Sequence, residues 1–306
     1  MQVDFICTKQ AFVPIYAKFQ MDKAIANGKI VEHIDDVDNM DQITVKKSNA
    51  DVFIISDAQL FIGLRQFILA CEKVNKSVVV IFNDTDLINF IQNILPSIPL
   101  CDTITKGGDN EFTKHFNKKF PKIVLCTGPM RGGKSAAVLR YISQCNVLKM
   151  KIQCFTPEFD TRTGMSKLKS RNGCETESIS LKKFADVEDI HYKDAEVIVI
   201  DEAQFFPDLY EFVKRCKADG KSVFISGLDG DFNREAFGEV LNCIPLCDVV
   251  TKFQALCMIK NDGTPALFSM LVADPALLKN GNKLAGDSEF LSVCREEYLT
   301  YNNNRQ

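Results

Sequence analysis

Short apolar runs in this chain are separated by segments in which apolar residues recur every three or four positions. The clearest runs are Ile123–Thr127, Glu196–Ile200 and Ser222–Ser226. Runs of this length, without polar alternation, are typical of strands that are buried on both faces of a parallel sheet. They predict a sheet core in the second half of the chain.

Helical spacing appears between these predicted strands. After Thr127 the pattern predicts a helix through Ala136, Leu139, Ile142 and Val147. A second helix is predicted over Pro207–Lys217, with Pro207 at its first helical position, where a missing N–H costs nothing. Strands that alternate with helices indicate an α/β fold with a parallel sheet.

The first part of the chain repeats this pattern, with predicted strands near Asp4–Thr8, Val52–Ile55 and Ser77–Ile81. Short sequence blocks also recur in the same order, at shifts of 119, 145 and 146 positions. The pairs are Cys7-Thr8 with Cys126-Thr127, Val52–Gln59 with Val197–Gln204, and Ile98–Asp102 with Ile244–Asp248. We interpret the chain as a tandem duplication, with one domain over residues 1–118 and a second over residues 119–306.

Composition narrows the function classes. The chain has 306 residues, and its 37 basic and 40 acidic side chains leave a net charge of −3, which argues against a large nucleic-acid surface. No apolar run approaches the length of a membrane span, and the first residues lack the basic start of a signal peptide, so we expect a cytoplasmic protein without a membrane partner. The 12 cysteines lie scattered within apolar segments and are expected to be small buried residues rather than disulfide partners.

One motif in the second copy has a defined chemistry. It follows the pattern G-x-x-x-x-G-K-S between a predicted strand and a predicted helix, and it reads Gly128-Pro129-Met130-Arg131-Gly132-Gly133-Lys134-Ser135. Glycines let successive backbone N–H groups converge on phosphate oxygens at a helix N-terminus. We expect Lys134 to reach the β- and γ-phosphates of a nucleotide and the Ser135 hydroxyl to bind Mg²⁺.

Two adjacent carboxylates follow a later strand. Asp201 ends the apolar run 66 residues after Ser135 and stands where a second Mg²⁺ ligand is expected. Glu202 is the candidate general base, because none of the three histidines lies beside these motifs. On spacing alone, a solvated glutamate after the strand remains an alternative for Glu202.

The first copy lacks these groups. In the loop, a shift of 119 positions places Lys9 at the position of Gly128, Pro14 at that of Gly133, Ile15 at that of Lys134 and Tyr16 at that of Ser135. After the later strand, a shift of 145 positions places Ser56 at the position of Asp201 and Asp57 at that of Glu202. Such residues cannot form a phosphate cradle, so we interpret this copy as structural. The alternative is that it binds a regulatory ligand through Asp57 and Gln59.

These motifs together resemble the type II (cytosolic, P-loop) thymidine kinases. The resemblance covers roughly Lys122 to Tyr298 and rests on the phosphate loop and on the segments Asp160-Thr161-Arg162, Asp201–Phe206, Gly227–Phe232, Phe237-Gly238 and Ile244-Pro245-Leu246. It implies two P-loop NTPase-like domains, with a small lasso subdomain over about residues 253–306. It also implies ATP-dependent phosphorylation of the 5′-hydroxyl of thymidine, and of deoxyuridine, in nucleotide salvage.

The resemblance also assigns roles by position. Glu202 and Arg162 correspond to catalytic residues, Arg162 lying near the transferred phosphoryl group. The positions expected around the nucleoside are Met130, Asp160, Arg162, Gln204, Phe205, Leu228, Phe232, Phe237, Ser269 and Phe290. Without the resemblance, Phe205, Leu228 and Phe232 fit an ordinary apolar core. The family usually has tyrosine where this chain has Phe290, so a hydroxyl is lost there.

The family's zinc site is a second departure. The resemblance implies two Cys-x-x-Cys pairs that hold zinc in the lasso subdomain. Here the second cysteine of each pair is replaced, by Lys260 three residues after Cys257 and by Glu297 three residues after Cys294. Two thiolates cannot supply the four ligands that structural zinc prefers, so we expect the zinc to have been lost.

The resemblance implies an oligomer and feedback inhibition by dTTP. A fused inactive copy could replace one subunit, which predicts a homodimer of tandem chains. Two other functions stay open at this point: a kinase for another deoxynucleoside, and a non-catalytic nucleotide-binding scaffold.

Overall fold

The structure is a computed structural model, and it describes residues 1–7, 13–34, 45, 48–56, 58, 63–82, 94–106, 122–158, 167–169, 175–272 and 289–303. The chain divides into two units, Met1–Asn110 and Glu111–Gln306. The sequence predicted a boundary between residues 118 and 119.

The described part of the first unit has a parallel sheet in the order β2-β3-β4-β1-β5. Its strands are β1 (Val3–Cys7), β2 (Val31–Ile34), β3 (Val52–Ile55), β4 (Ser77–Phe82) and β5 (Thr103–Lys106). The helices are α1 (Val13–Ala26) and α2 (Leu64–Lys73), and a 3-10 helix covers Leu95–Leu100. Buried Val and Ile side chains along these strands explain why they form the sheet.

The second unit has a parallel sheet in the order β10-β7-β11-β12-β6-β13 among its described residues. These strands are β6 (Ile123–Thr127), β7 (Ile152–Pro157), β10 (Ile179–Leu181), β11 (Val197–Ile200), β12 (Ser222–Ser226) and β13 (Val249–Lys252). An antiparallel pair is formed by β8 (Lys167–Lys169) and β9 (Glu175–Glu177). The helices are α3 (Lys134–Val147), α4 (Asp189–Tyr192) and α5 (Leu209–Ala218), with 3-10 helices at Phe184–Asp186, Ala203–Phe205 and Leu241–Leu246.

In the segment expected to form the lasso subdomain, the described residues make two small antiparallel pairs and a terminal helix. The first pair is β14 (Ala255–Leu256) with β15 (Pro265–Ala266), and the second is β16 (Phe268–Leu271) with β17 (Phe290–Val293). Helix α6 (Arg295–Asn303) follows directly. These elements enclose an apolar cluster of their own, made of Ala255, Cys257, Ala266, Leu267, Phe268, Met270, Val293, Cys294 and Tyr298.

The two units share strand order and several polar contacts. If the extra strand β10 is set aside, the order β7-β11-β12-β6-β13 corresponds strand for strand to β2-β3-β4-β1-β5. Side-chain hydrogen bonds at the amino ends of the strands also recur. In the first unit, backbone N–H groups donate to the side chains of Asp102, Ser77 and Asp51, and Lys76 donates to the carbonyls of Ser48 and Ala50. In the second unit, backbone N–H groups donate in the same way to Asp248, Ser222 and Glu196, and Lys221 donates to the carbonyls of Lys193 and Ala195. The N–H donors are Val3, Gln2 and Ile30 in the first unit and Ile123, Lys122 and Lys151 in the second.

The registers correct the correspondence of the two phosphate-loop regions. They relate β1 to β6 by 120 positions rather than 119, and the loop before α1 is one residue shorter than the loop before α3. The equivalent of Lys134 at the start of the helix is therefore Val13 rather than Ile15, and that of Ser135 is Pro14 rather than Tyr16. Val13 and Pro14 carry neither an amine nor a hydroxyl, so this alignment also gives the first unit no equivalents of Lys134 and Ser135.

Most of the predicted elements are confirmed. The strands at Ile123–Thr127, Ser222–Ser226 and Val52–Ile55 have the predicted bounds. The predicted helix start at Pro207 is wrong, because α5 begins at Leu209 after the N-cap Asp208. The Asp208 carboxylate accepts hydrogen bonds from the N–H groups of Phe184 and Ala185, so the preceding proline belongs to a turn fixed by that contact.

Two further expectations concern cysteines and membranes. All ten cysteines with described side chains are buried and free. None of the helices in the described ranges is both long enough and apolar enough to cross a membrane.

Candidate active site

The candidate site lies at the carboxyl ends of three neighbouring parallel strands, where ligands bind in open α/β sheets. Strand β6 leads into the phosphate loop, β11 into Asp201 and β12 into Gly227. Hydrogen bonds connect the first and third of these loops, because the Thr127 hydroxyl donates to the Gly227 carbonyl at 3.0 Å and the Gly227 N–H donates to the Cys126 carbonyl at 3.1 Å.

The phosphate loop is shaped by two glycines in backbone conformations that other residues rarely adopt. Gly128 has φ 131°, and a Cβ atom there would lie 2.3 Å from the carbonyl oxygen of Phe253. Gly133 has φ 87° and caps the N-terminus of α3. A loop that turns into a helix in this way directs backbone N–H groups toward an anion.

Lys134, the first residue of α3, is buried within this loop. Its Nζ donates to the carbonyl oxygens of Gly128 at 3.1 Å and of Pro129 at 2.8 Å. The ammonium group is therefore held beside the loop backbone. Ser135 follows it, half-buried in the first turn of the same helix.

Asp201 is a buried carboxylate with a charged neighbour. Ser226 donates its hydroxyl to Asp201 Oδ1 at 2.6 Å. Burial, reinforced by the adjacent charge of Glu202, raises the pKa of Asp201 to about 6, and the Ser226 hydrogen bond and the nearby Lys134 charge only partly oppose this shift. A divalent cation would relieve this excess of negative charge, so Asp201 and the Ser135 hydroxyl are oxygen donors that fit Mg²⁺.

Glu202 adopts a left-handed backbone conformation, with φ 50° and ψ 42°. Its Oε2 accepts a hydrogen bond of 2.7 Å from Nε2 of Gln204, and Oε1 of Gln204 accepts one of 3.0 Å from the N–H of Leu228. Both ends of the buried Gln204 amide are thus engaged by protein groups. The sequence analysis expected Gln204 beside the nucleoside, and in the structure its amide contacts Glu202 and Leu228.

The loop after β12 packs closely on Gln204. A Cβ atom on Gly227 would lie 2.9 Å from Oε1 of Gln204, and one on Gly238 would lie 2.1 Å from its carbonyl oxygen. At Gly238 the neighbouring atom belongs to the backbone and φ is 60°, so only glycine fits there, whereas a Cβ atom on Gly227 would displace the Gln204 side chain.

The lasso subdomain contacts the tip of the phosphate loop. The N–H of Met130 donates to Oγ of Ser269 at 3.0 Å, and the Ser292 hydroxyl donates to the Met130 carbonyl at 2.7 Å. Arg131 donates to the carbonyl of Phe290 at 2.8 Å. Met130, Ser269 and Phe290, which were predicted at the nucleoside site, are therefore brought together.

The remaining predicted aromatic residues form two pairs. The rings of Phe205 and Phe237 meet edge to face, with centroids 5.4 Å apart, and those of Phe232 and Phe290 lie 6.4 Å apart. The Phe232 carbonyl accepts a hydrogen bond from the Tyr298 hydroxyl at 2.7 Å. Asp160 and Arg162 lie outside the described residues.

The residues present do not fit the zinc site of the resembled family. Cys257 and Cys294 do meet, since the N–H of Cys294 donates to Sγ of Cys257 at 3.4 Å. Lys260, however, brings an ammonium group that pairs with Glu296, and the hydrogen bond that this group donates to the Glu296 carboxylate raises the pKa of Lys260. The described side chains contain no group of three or more His, Cys, Asp or Glu residues placed to hold a metal.

Three contacts at the site were missed by the sequence analysis. They are the Ser226 hydroxyl on Asp201, the Ser292 hydroxyl on Met130, and a buried ion pair of 2.8 Å between Lys252 and Asp229. No sequence signal identifies a lone serine in an apolar strand or pairs two charges 23 residues apart.

Comparison with known proteins gives one family. The model of the family described as Thymidine kinase matches residues 121–298, all within the second unit. Two proteins named thymidine kinase are each 34% identical to this chain and align with 58% of it: one from Oryza sativa subsp. japonica over 186 residues, and one from Vaccinia virus (strain Western Reserve) over 177 residues. These matches cover 66% of the rice protein and 96% of the viral protein.

Proposed function

This chain belongs to the thymidine kinase family, and from that premise we propose that its second unit transfers the γ-phosphoryl group of ATP to the 5′-hydroxyl of thymidine. The observation that carries the proposal is the meeting of the phosphate loop, Lys134 and the Asp201-Glu202 pair at one sheet edge. This arrangement suits phosphoryl transfer, which depends mainly on positioning and charge stabilisation. The product would be dTMP, which makes nucleotide salvage the proposed role.

In the proposed reaction, Glu202 accepts the proton of the 5′-hydroxyl. The nucleoside oxygen then bonds to the γ-phosphorus, and the bond from that phosphorus to the β,γ-bridging oxygen breaks and releases ADP. The hydrogen bond from Gln204 supports this role, because it holds one carboxylate oxygen in a fixed direction. Arg162 is proposed to stabilise charge on the transferred group.

Lys134 and the loop N–H groups would bind the phosphates of ATP. Asp201 and Ser135 are the residues that would hold Mg²⁺, and the ion would neutralise charge on the phosphate oxygens. The buried Asp201 is kept in place by Ser226. Met130, Phe205, Leu228, Phe232, Phe237, Ser269 and Phe290 are proposed to surround the nucleoside.

The test is MgATP-dependent phosphorylation by the full chain of thymidine, deoxyuridine, deoxycytidine, deoxyadenosine and deoxyguanosine. We expect thymidine to be the strongest acceptor, with deoxyuridine second, and dTTP to inhibit. Glu202→Gln should lower kcat by ~10²–10⁴-fold because it removes the general base. The matched control is Glu211→Gln on the exposed face of α5, which should leave kcat unchanged.

Each outcome has a defined meaning. A folded protein that phosphorylates none of the five nucleosides would favour the scaffold alternative. A strong signal with a different nucleoside would replace thymidine as the substrate. An unchanged rate in Glu202→Gln would remove the base from the mechanism while leaving the kinase assignment intact.

We further propose that the first unit is a non-catalytic duplicate that takes the place of a subunit. The shared strand order and the recurring hydrogen bonds at the amino ends of the strands support this interpretation. The proposed assembly is a homodimer of tandem chains. Light scattering should give twice the 34.4 kDa of one chain, and a fully active monomer would contradict the dimer.

A further inference from the structure

Two serines hold both polar backbone groups of a single residue in the phosphate loop. Ser269 accepts from the N–H of Met130 at 3.0 Å, and Ser292 donates to its carbonyl at 2.7 Å. The two serines lie directly opposite each other in the pairing of β16 with β17. The strand pair β16–β17, called the lasso hairpin below, therefore binds the phosphate loop at one residue through a side chain from each strand.

The hydrogen-bonding groups of this contact are buried and are held from several sides. Ser292 is fully buried, and Ser269 is nearly so. The backbone carbonyl of Ser292 also accepts from the N–H of Met258 at 2.9 Å, which connects it to the other strand pair of the lasso subdomain. Buried hydrogen bonds of this kind are costly to leave unmade.

A third hydrogen bond extends the contact by one residue. Arg131, which follows Met130 and has φ 60°, donates to the carbonyl of Phe290 in β17. The tip of the phosphate loop is thus attached to both strands of the hairpin. A shift of the hairpin must then move the tip, or break these bonds.

We propose that Ser292 is a positioning residue, which with Ser269 couples nucleoside binding in the lasso subdomain to the geometry of the phosphate loop. This inference rests on the proposed function, because it takes thymidine to bind against the lasso subdomain and ATP in the loop. Thymidine bound against β16 and β17 would shift Met130 through these hydrogen bonds and so favour ATP binding. Linkage requires the converse effect to have the same size.

The test measures this coupling in the full chain by calorimetry. Affinity is determined for a non-hydrolysable ATP analogue with Mg²⁺, for thymidine, and for each in the presence of the other. In the unmodified protein each ligand should tighten the other. Ser292→Ala should reduce this coupling factor about fivefold, the equivalent of one buried hydrogen bond.

Three further variants complete the design. Ser292→Thr retains the hydroxyl and should restore the coupling. Ser269→Ala should reduce it in a non-additive way with Ser292→Ala, because both act on Met130. The matched control is Ser222→Ala, which removes a serine hydroxyl that accepts from the Lys122 N–H at the opposite end of the strands, and it should leave the coupling unchanged. If Ser292→Ala does not fold, Ser292→Cys, of similar volume but a weaker donor, replaces it.

The outcomes separate the two proposals. If the unmodified chain phosphorylates thymidine and Ser292→Ala keeps the full coupling factor, the proposed role of Ser292 in coupling is overturned and the kinase proposal stands. If Ser292→Ala loses only thermal stability, with coupling intact, the serine is structural and its role in coupling is again overturned. If the unmodified chain binds no thymidine, both proposals fail together, which the binding data alone reveal.

Discussion

The buried ion pair between Lys252 and Asp229 offers a quantitative test of what holds the site together. The two side chains lie 2.8 Å apart and are 0% and 5% exposed. In Lys252→Met the apolar stem is kept and the charge is removed, which leaves the Asp229 carboxylate buried beside an uncharged group. Leaving one partner of a buried pair uncompensated costs about 3–5 kcal/mol.

The same substitution at an exposed pair is the control. Lys193 contacts Asp189 on α4 at 2.5 Å, and these side chains are 69% and 77% exposed. Exposed pairs contribute little because water screens them, so Lys193→Met should change the free energy of unfolding by less than about 0.5 kcal/mol. The chain has no tryptophan, so urea unfolding is best followed by far-ultraviolet circular dichroism.

A double variant separates the charge from the packing. Lys252→Met with Asp229→Leu replaces both charges by apolar groups and should recover most of the lost stability, because no unpaired charge remains. Equal losses in Lys252→Met and Lys193→Met would refute this reasoning. So would a double variant less stable than Lys252→Met alone.

Three other outcomes follow from the structure. In metal-free protein, the raised pKa of Asp201 means that its charge costs stability above pH 6 and none below the unfolded value of 3.8. Asp201→Asn should therefore be more stable than the unmodified chain by up to about 3 kcal/mol at pH 8, and the difference should vanish near pH 4 in urea titrations; a pH-independent difference would contradict this. Gly238→Ala should destabilise by more than about 2 kcal/mol, whereas Gly220→Ala, also at positive φ but with open space around it, should cost only about 1 kcal/mol; equal melting temperatures would count against the steric argument. Because we expect no bound zinc, treatment with a zinc chelator followed by addition of Mg²⁺ should change neither the melting temperature nor the kinase rate. One zinc ion per purified chain, measured by mass spectrometry, would contradict this.

Apolar patterning predicted the strands well, because a fully buried strand such as Val197–Ile200 consists only of apolar residues and has few alternatives. The same approach misplaced the start of α5 at Pro207. Proline fits both a first helical turn and a preceding turn, and the choice was made by the contact between Asp208 and a distant backbone segment.

The site could be predicted only where a motif states its own chemistry. The phosphate loop and Asp201 are of this kind, because spacing relative to a strand defines their roles. Ser292 contacts Met130, which lies far away along the chain, and Gln204 contacts Glu202 through its side-chain amide. Both contacts depend on how the loops fold back onto the sheet. Periodicity contains no information on such contacts.

The recurring side-chain hydrogen bonds of the two units lie at the amino ends of the strands. Groups such as Asp102 and Asp248, or Lys76 and Lys221, fasten the starts of strands, whereas the phosphate loop and Asp201 follow the ends of strands. The amino ends of the strands thus carry the structural hydrogen bonds, and the carboxyl ends carry the candidate catalytic groups. Substitutions at the carboxyl ends of the strands can therefore change the chemistry of a unit while the hydrogen bonds at the amino ends keep its strand register.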